Sequence, residues 1–223
     1  PEGDEIFYDH IGYFVPSLET AGAQLEKLGF QVSAINIQYN ESEAGEFIPT
    51  GTSNRLAKLN RGFIEVLAAT GKSALADQLL TMLARYQGLH VIALTHPDMT
   101  RTATRLSDAG IDMQDAVNLR RKVMVDSTET LMEFTVARVK PGTFPEGRLQ
   151  ILTCHTPENF WLPGDMNHAN RADTLTDLLI CVDDAAEGTG RYERFFGTAA
   201  ETMGGLETLD LARGRFHFVT PDQ

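Results

Sequence analysis

The chain has 223 residues, enough for one large domain or two smaller ones, and 42% are hydrophobic, which suits a true core and argues against disorder. A formal net charge of −12 disfavours nucleic acid and anionic membrane as principal partners, because both reward clustered cations. No apolar run approaches the roughly 20 residues that span a bilayer, no signal peptide is visible, and Cys154 and Cys181 read as reduced core thiols, so a cytoplasmic protein is expected.

Pro1–Glu5 reads as a polar tail. Ile6–Val15 is the first strand, and its alternation puts Tyr8, His10, Gly12 and Phe14 on one face and Asp9, Ile11, Tyr13 and Val15 on the other. Pro16 stops it, Ser17 caps a helix running to Leu28, and Gly29 fits the position after the helix. Gln31–Ile37 reads as a second strand and Gln38–Thr52 as a long polar loop. Asn54–Leu59 and Phe63–Ala68 form a hairpin across Asn60-Arg61-Gly62. Gly71-Lys72-Ser73 is not a phosphate loop, since Val66 stands where the upstream glycine is needed. Ser73 instead caps a helix through Tyr86, with Leu75, Leu79 and Leu83 inward.

The strand–helix–glycine pattern then recurs. A second copy starts at Gly88, with His90 in the place of His10 and Gly110 in that of Gly29; strands follow near Lys122–Val125, Leu131–Val139 and Arg148–Cys154. A third starts near Leu175, with Asp177 in the histidine position and Gly197 closing its helix. The last strands of the copies align Glu65, Gln150 and His217, each a polar residue within an apolar run, and buried polar groups are costly unless paired. The interval from Asp177 to His217 is shorter than that from His10 to Glu65, so either the loops of the third copy are short or part of it is absent. His217 reads as structural and His96 as a turn residue. The irregular stretch His155–Arg171 holds two prolines and the only tryptophan.

The βαβββ repeat opened by Asp9-His10-Ile11-Gly12 and closed by Phe63-Ile64-Glu65, with Gly51-Thr52-Ser53-Asn54 and the run His155–Trp161 followed by His168, resembles the vicinal-oxygen-chelate superfamily (glyoxalases, bleomycin-resistance proteins and dioxygenases), closest to glyoxalase-like domain proteins. The resemblance implies an α+β fold in which residues 1–154 form two modules, about 6–68 and 89–154, paired into an open barrel. Residues 155–172 would connect them to a third, incomplete module at 173–223. It also implies a divalent metal (Zn, Mn, Fe or Co) bound by His10, Glu65, His90 and Gln150, with Glu65 and His10 catalytic. Gln150 departs from the carboxylate found in many members, and a neutral amide is a weaker ligand and no base.

Two functions stay open. One is a metal-dependent lyase, isomerase or dioxygenase acting on a small oxygenated metabolite. The other is a metal-free protein of the same fold that sequesters a small molecule or antibiotic. The expected partner is a small-molecule ligand, with a homodimer as an option. Candidate ligand-binding residues are Tyr8, Phe14, Arg55, Phe63, His155, Glu158, Trp161 and His168; for Arg55 a surface salt bridge is the alternative. Residues 155–171 are expected to lie across the open side of the barrel. Strand parity places His155 on the face opposite Gln150.

Overall fold

Alternating apolar strands set the frame of the protein, seen here in a computed structural model that describes residues 6–42, 44–125 and 127–222; the expected tail Pro1–Glu5 lies outside them. The first module is β1 (Phe7–Phe14), α1 (Leu18–Lys27), β2 (Asn36–Glu41), β3 (Phe47–Lys58) and β4 (Phe63–Ala69). After α2 (Ala74–Leu83) comes the second: β5 (Gly88–Thr95), α3 (Met99–Asp108), β6 (Val117–Val125), β7 (Thr128–Arg138) and β8 (Arg148–Cys154). The third is β9 (Asp177–Cys181), α4 (Ala185–Phe196), β10 (Glu201–Met203), β11 (Leu206–Asp210) and β12 (Arg215–Val219). All five elements of the repeat are present in the third module, so its brevity comes from short strands and loops.

Modules one and two share an eight-stranded sheet of order β2-β3-β4-β1-β5-β8-β7-β6. The first strand of each module runs parallel to its last, and β1 pairs antiparallel with β5 at the centre. The outer strands β2 and β6 approach each other, which curls the sheet into a nearly closed barrel. The third module makes its own sheet, β10-β11-β12-β9.

Local chemistry explains the helices. Ser17, Ser73, Asp98 and Asp184 cap the four, each side chain accepting a backbone N–H from the first turn. Among the described residues no helix is long and apolar enough to cross a membrane. The third module docks through α4: Tyr192, Phe195 and Phe196 share one core with Phe216 and Phe218, with Ile6, Tyr8 and Ile11 of β1 and its N-terminal flank, and with Ile92 and Leu94 of β5. The opposite face of β9 is open, with Leu179 61% exposed, and Cys181 is exposed there rather than in a core.

The expected strand Gln31–Ile37 and loop Gln38–Thr52 are corrected by the structure, where β2 and β3 form a hairpin from Asn36 to Lys58. Hydrophobic periodicity fails there for a physical reason. From Gln38 to Asn54 the buried members are polar (Gln38, Thr50, Thr52, Ser53, Asn54), while Ile37 and Ile48 face solvent.

One ion pair ties α4 to the β7–β8 turn. The Arg191 guanidinium donates two 2.8 Å bonds to Glu146, and both side chains are about nine-tenths buried. Arg191→Ala would leave Glu146 buried without its partner, so urea unfolding should show a loss of about 3–5 kcal/mol; a loss below about 1 kcal/mol would mean that the third module docks without this pair.

Candidate functional site

The ladder between β1 and β5 slips twice. Tyr8 pairs with Leu94 and His10 with Ala93, leaving Asp9 as an extra residue. Gly12 pairs with Val91 and Tyr13 with Leu89, leaving His90 as an extra residue. The first bulge overrides simple alternation: Asp9 and His10 both line the barrel cavity. Tyr8 turns to the other side and packs edge-on against Phe216 at 5.6 Å, where burial pushes its hydroxyl pKa far up.

The cavity has a volume of about 2020 Å³. Inside it His10 Nδ1 donates to Asp9 Oδ1 at 2.6 Å, because a carboxylate can only accept. His10 Nε2 is thereby aimed at Glu65 Oε2, 3.8 Å away. Glu65 is fixed through its other oxygen: Oε1 accepts from Asn54 Nδ2 at 2.5 Å and from Gln38 Nε2 at 3.4 Å. Gln38 is held in turn by Thr52 Oγ1, which donates to Gln38 Oε1 at 2.7 Å, and by Thr50 Oγ1, which donates to the Gln38 carbonyl at 3.1 Å. Between the two threonines, Gly51 adopts φ +76°, and a side chain there would meet Ser73 Oγ at 2.8 Å. The His10 ring stacks on Phe63 with centroids 4.0 Å apart, and Phe63 contacts Phe160 and Trp161.

The second module does not mirror this arrangement. Register sets Phe63, Arg148 and Arg215 at one position, Glu65, Gln150 and His217 two residues further on, and His10, Val91 and Asp177 opposite the first of these. His90 is therefore one residue out of step. It is fully buried away from the cavity, donates Nε2–H to the Tyr86 carbonyl at 2.8 Å, and lies between the rings of Tyr86 and Phe14. Burial lowers its pKa. Gln150 does line the cavity, with Oε1 unpartnered. Of the four-residue chelate, the structure brings His10 and Glu65 together, sets Gln150 in the same cavity and leaves His90 outside. Among the described residues no group of three or more His, Cys, Asp or Glu is placed to hold a metal ion. The donor set present does not fit the expected four-ligand site.

The third module repeats the pair with its members exchanged. His217 Nε2 lies 2.8 Å from Asp177 Oδ1, and Thr208 Oγ1 lies 2.8 Å from His217 Nδ1. The hydrogen bond from His217 holds the Asp177 carboxyl at about 2, below its ordinary range. His217 thus has a partner that the sequence did not reveal.

A family model described as the glyoxalase-like domain matches residues 8–196. The chain belongs to that family. It is a branch of the vicinal-oxygen-chelate superfamily. No curated protein matches. Among solved structures, a hypothetical protein from Staphylococcus aureus superposes with TM-score 0.72 at 12% identity, covering 96% of this chain and 86% of that one. A Streptomyces coelicolor methylmalonyl-CoA epimerase, solved with 2-nitronate-propionyl-CoA, gives TM-score 0.47 at 18% identity over 67% of this chain and 97% of the other. The first is a likeness of fold.

The remaining candidates of this glyoxalase-like protein divide cleanly. Phe14, Phe63 and Trp161 line the cavity. Arg55 does not: it crosses Gly22 of α1, bonds the Ser33 carbonyl and pairs with Glu26 at 2.7 Å. His155 is exposed beside Thr135, and Glu158 is exposed in a short 3-10 turn. His168 is buried, accepting from Gln31 N–H and donating to the Lys58 carbonyl, so it anchors the connecting segment. That segment does cross the barrel: Lys58 Nζ reaches the Phe160 carbonyl and Asp165, and Asn159 reaches the Leu131 carbonyl.

Sequence reasoning missed Asp9, hidden by the bulge, and Gln38, Thr50 and Thr52, hidden in an expected loop. Asn54 was legible only as part of the Gly51–Asn54 motif. It also missed three arginines on the cavity wall, Arg121, Arg138 and Arg148, although Arg148 shares parity with Gln150. Asn54→Leu would remove the shortest bond to Glu65 and under-bond a buried carboxylate. Chemical unfolding should register about 1–3 kcal/mol of lost stability; no loss would show that water or Gln38 replaces Asn54 freely.

Proposed function

We propose that this glyoxalase-like protein is an isomerase or lyase that moves a proton on a small oxygenated metabolite. One array carries the reading: Asp9, His10 and Glu65 in line at the cavity wall, with 2.6 Å and 3.8 Å between successive groups. Asp9 holds the imidazole in the tautomer whose Nε2 lone pair is free to accept. Both donors to Glu65 reach Oε1, which leaves Oε2 turned toward the same point. A C–H beside a carbonyl, seated there, would face two groups able to exchange its proton. General acid–base transfer of this kind is worth about 10²–10⁴-fold in rate. A divalent ion would polarise the carbonyl in a complete chelate, but His90 is not available as a ligand, and every role assigned here is to the chain's own residues.

The alternative, sequestration without turnover, draws on the aromatic lining: Phe14, Phe63, Phe160 and Trp161 border a volume larger than the roughly 300–1,000 Å³ of common ligand sites.

The two readings separate in heavy water. The protein is incubated with a panel of 2-oxo acids, hydroxy acids and acyl thioesters, and loss of the substrate C–H signal is followed by proton NMR. Turnover predicts exchange that falls at least 10²-fold in His10→Ala and in Glu65→Gln. Saturable binding of panel members with no exchange in the wild type would overturn the enzyme reading in favour of sequestration.

A further inference from the structure

Arg121 projects inward from β6, Arg138 from β7 and Arg148 from β8, all onto the wall of the cavity that holds His10 and Glu65. The Nε atoms of all three are buried and have no hydrogen-bond partner. The other cations of the lining have partners, Arg85 donating to the Pro145 carbonyl. Lys58 pairs with Asp165, Lys122 with Glu129 and Lys140 with Asp112. Among the described residues no carboxylate forms an ion pair with the three guanidiniums; Arg148 lies 5.8 Å from the Phe14 ring centroid. Gln150, on the same strand as Arg148 and opposite Arg138 in the β7–β8 ladder, adds a buried amide whose Oε1 is also unpartnered.

The three share one electrostatic neighbourhood. Burial lowers the pKa of each; Arg148 falls to about 10, depressed further by Arg138 and raised partly by Glu65. Arg121 feels the same two neighbours in the same directions. All three stay charged at neutral pH. Three like charges in partial burial, with one carboxylate within reach, cost free energy unless an anion completes them. In a chain of net charge −12 such a concentration of positive charge needs a local cause.

We propose that Arg121, Arg138 and Arg148 form an oxyanion-binding wall, so that the ligand of this cavity carries at least two negative charges as carboxylate or phosphate. Guanidinium forks match the planar or tetrahedral oxygens of such groups and bind them with charge-assisted hydrogen bonds. Gln150 would serve the same anionic group through its amide N–H rather than as a metal ligand. The inference rests on the proton-transfer reading only in placing the anionic end opposite His10 and Glu65; the wall itself stands without that chemistry.

The test is calorimetric titration of the full chain with malonate, succinate and inorganic phosphate, against neutral malonamide, at fixed ionic strength. The expected result is saturable binding of at least one dianion, no binding of malonamide, and affinity about tenfold or more weaker in each of Arg121→Gln, Arg138→Gln and Arg148→Gln. A preference for malonate or succinate identifies a carboxylate ligand, and a preference for phosphate a phosphoryl one. Arg55→Gln, outside the cavity, should bind as the wild type does. Since no ion pair is lost, the cavity variants should melt at or above the wild-type temperature; should one fail to fold, the rise in wild-type Tm with the same dianions gives the answer. Absence of binding by every dianion, equal binding of malonamide, or unchanged affinity in all three variants would overturn the proposal. Dianion binding by the wild type without any proton exchange would fail the catalytic reading alone, and exchange on uncharged substrates without dianion binding would fail the wall alone.

Discussion

One extra residue in the ladder between β1 and β5 decides what this barrel can do. A regular strand would send Asp9 to the outer face and Tyr8 to the cavity. The bulge at Asp9 reverses both, so that an aromatic ring joins the core under the third module while a carboxylate comes to lie beside His10 in the cavity. The same pair of strands carries the second bulge, which takes His90 out of the barrel and into a sandwich of Tyr86 and Phe14. Two slips in one ladder thus make the modules functionally unequal. Module one provides the proton-handling array, and module two a wall of guanidiniums.

The supporting structure follows from that division. Glu65 is buried and ionisable, so its position requires donors, and they come from the β2–β3 hairpin: Asn54 directly, Gln38 behind it, and Thr50 and Thr52 behind Gln38. The positive φ of Gly51 lets β3 bend around Ser73 while keeping both threonines turned to Gln38. On the open side, His168 and Lys58 fasten the connecting segment so that Phe160 and Trp161 close on Phe63, which itself stacks under His10.

The repeat and its strand faces were legible because they rest on apolar spacing and on capping residues, which act locally. Ser17, Gly29, the hairpin into Phe63 and the equivalence of Glu65, Gln150 and His217 all belong to that class. What could not be read depends on register. Alternation cannot announce an extra residue, so it sends Asp9 to the wrong face and matches His90 to His10 where Val91 stands. The β2–β3 hairpin reads as a loop because its inner face is polar, and that polarity is what a buried glutamate demands. Arg121 and Arg138 lie on strands whose exposed faces are also charged, so composition alone did not distinguish the inward cations from the outward ones.

The tautomer of His10 tests the account most directly, since the bulge, the Asp9 bond and the aim of Nε2 at Glu65 all converge on it. Long-range ¹⁵N–¹H correlation spectra of the labelled protein, with the ring assigned by its disappearance in His10→Gln, report which nitrogen bears the proton. The Asp9 bond predicts that the neutral form of the ring carries its proton on Nδ1, and that this preference is lost in Asp9→Ala. A neutral ring protonated at Nε2, or one averaging between both forms as free imidazole does, would contradict it.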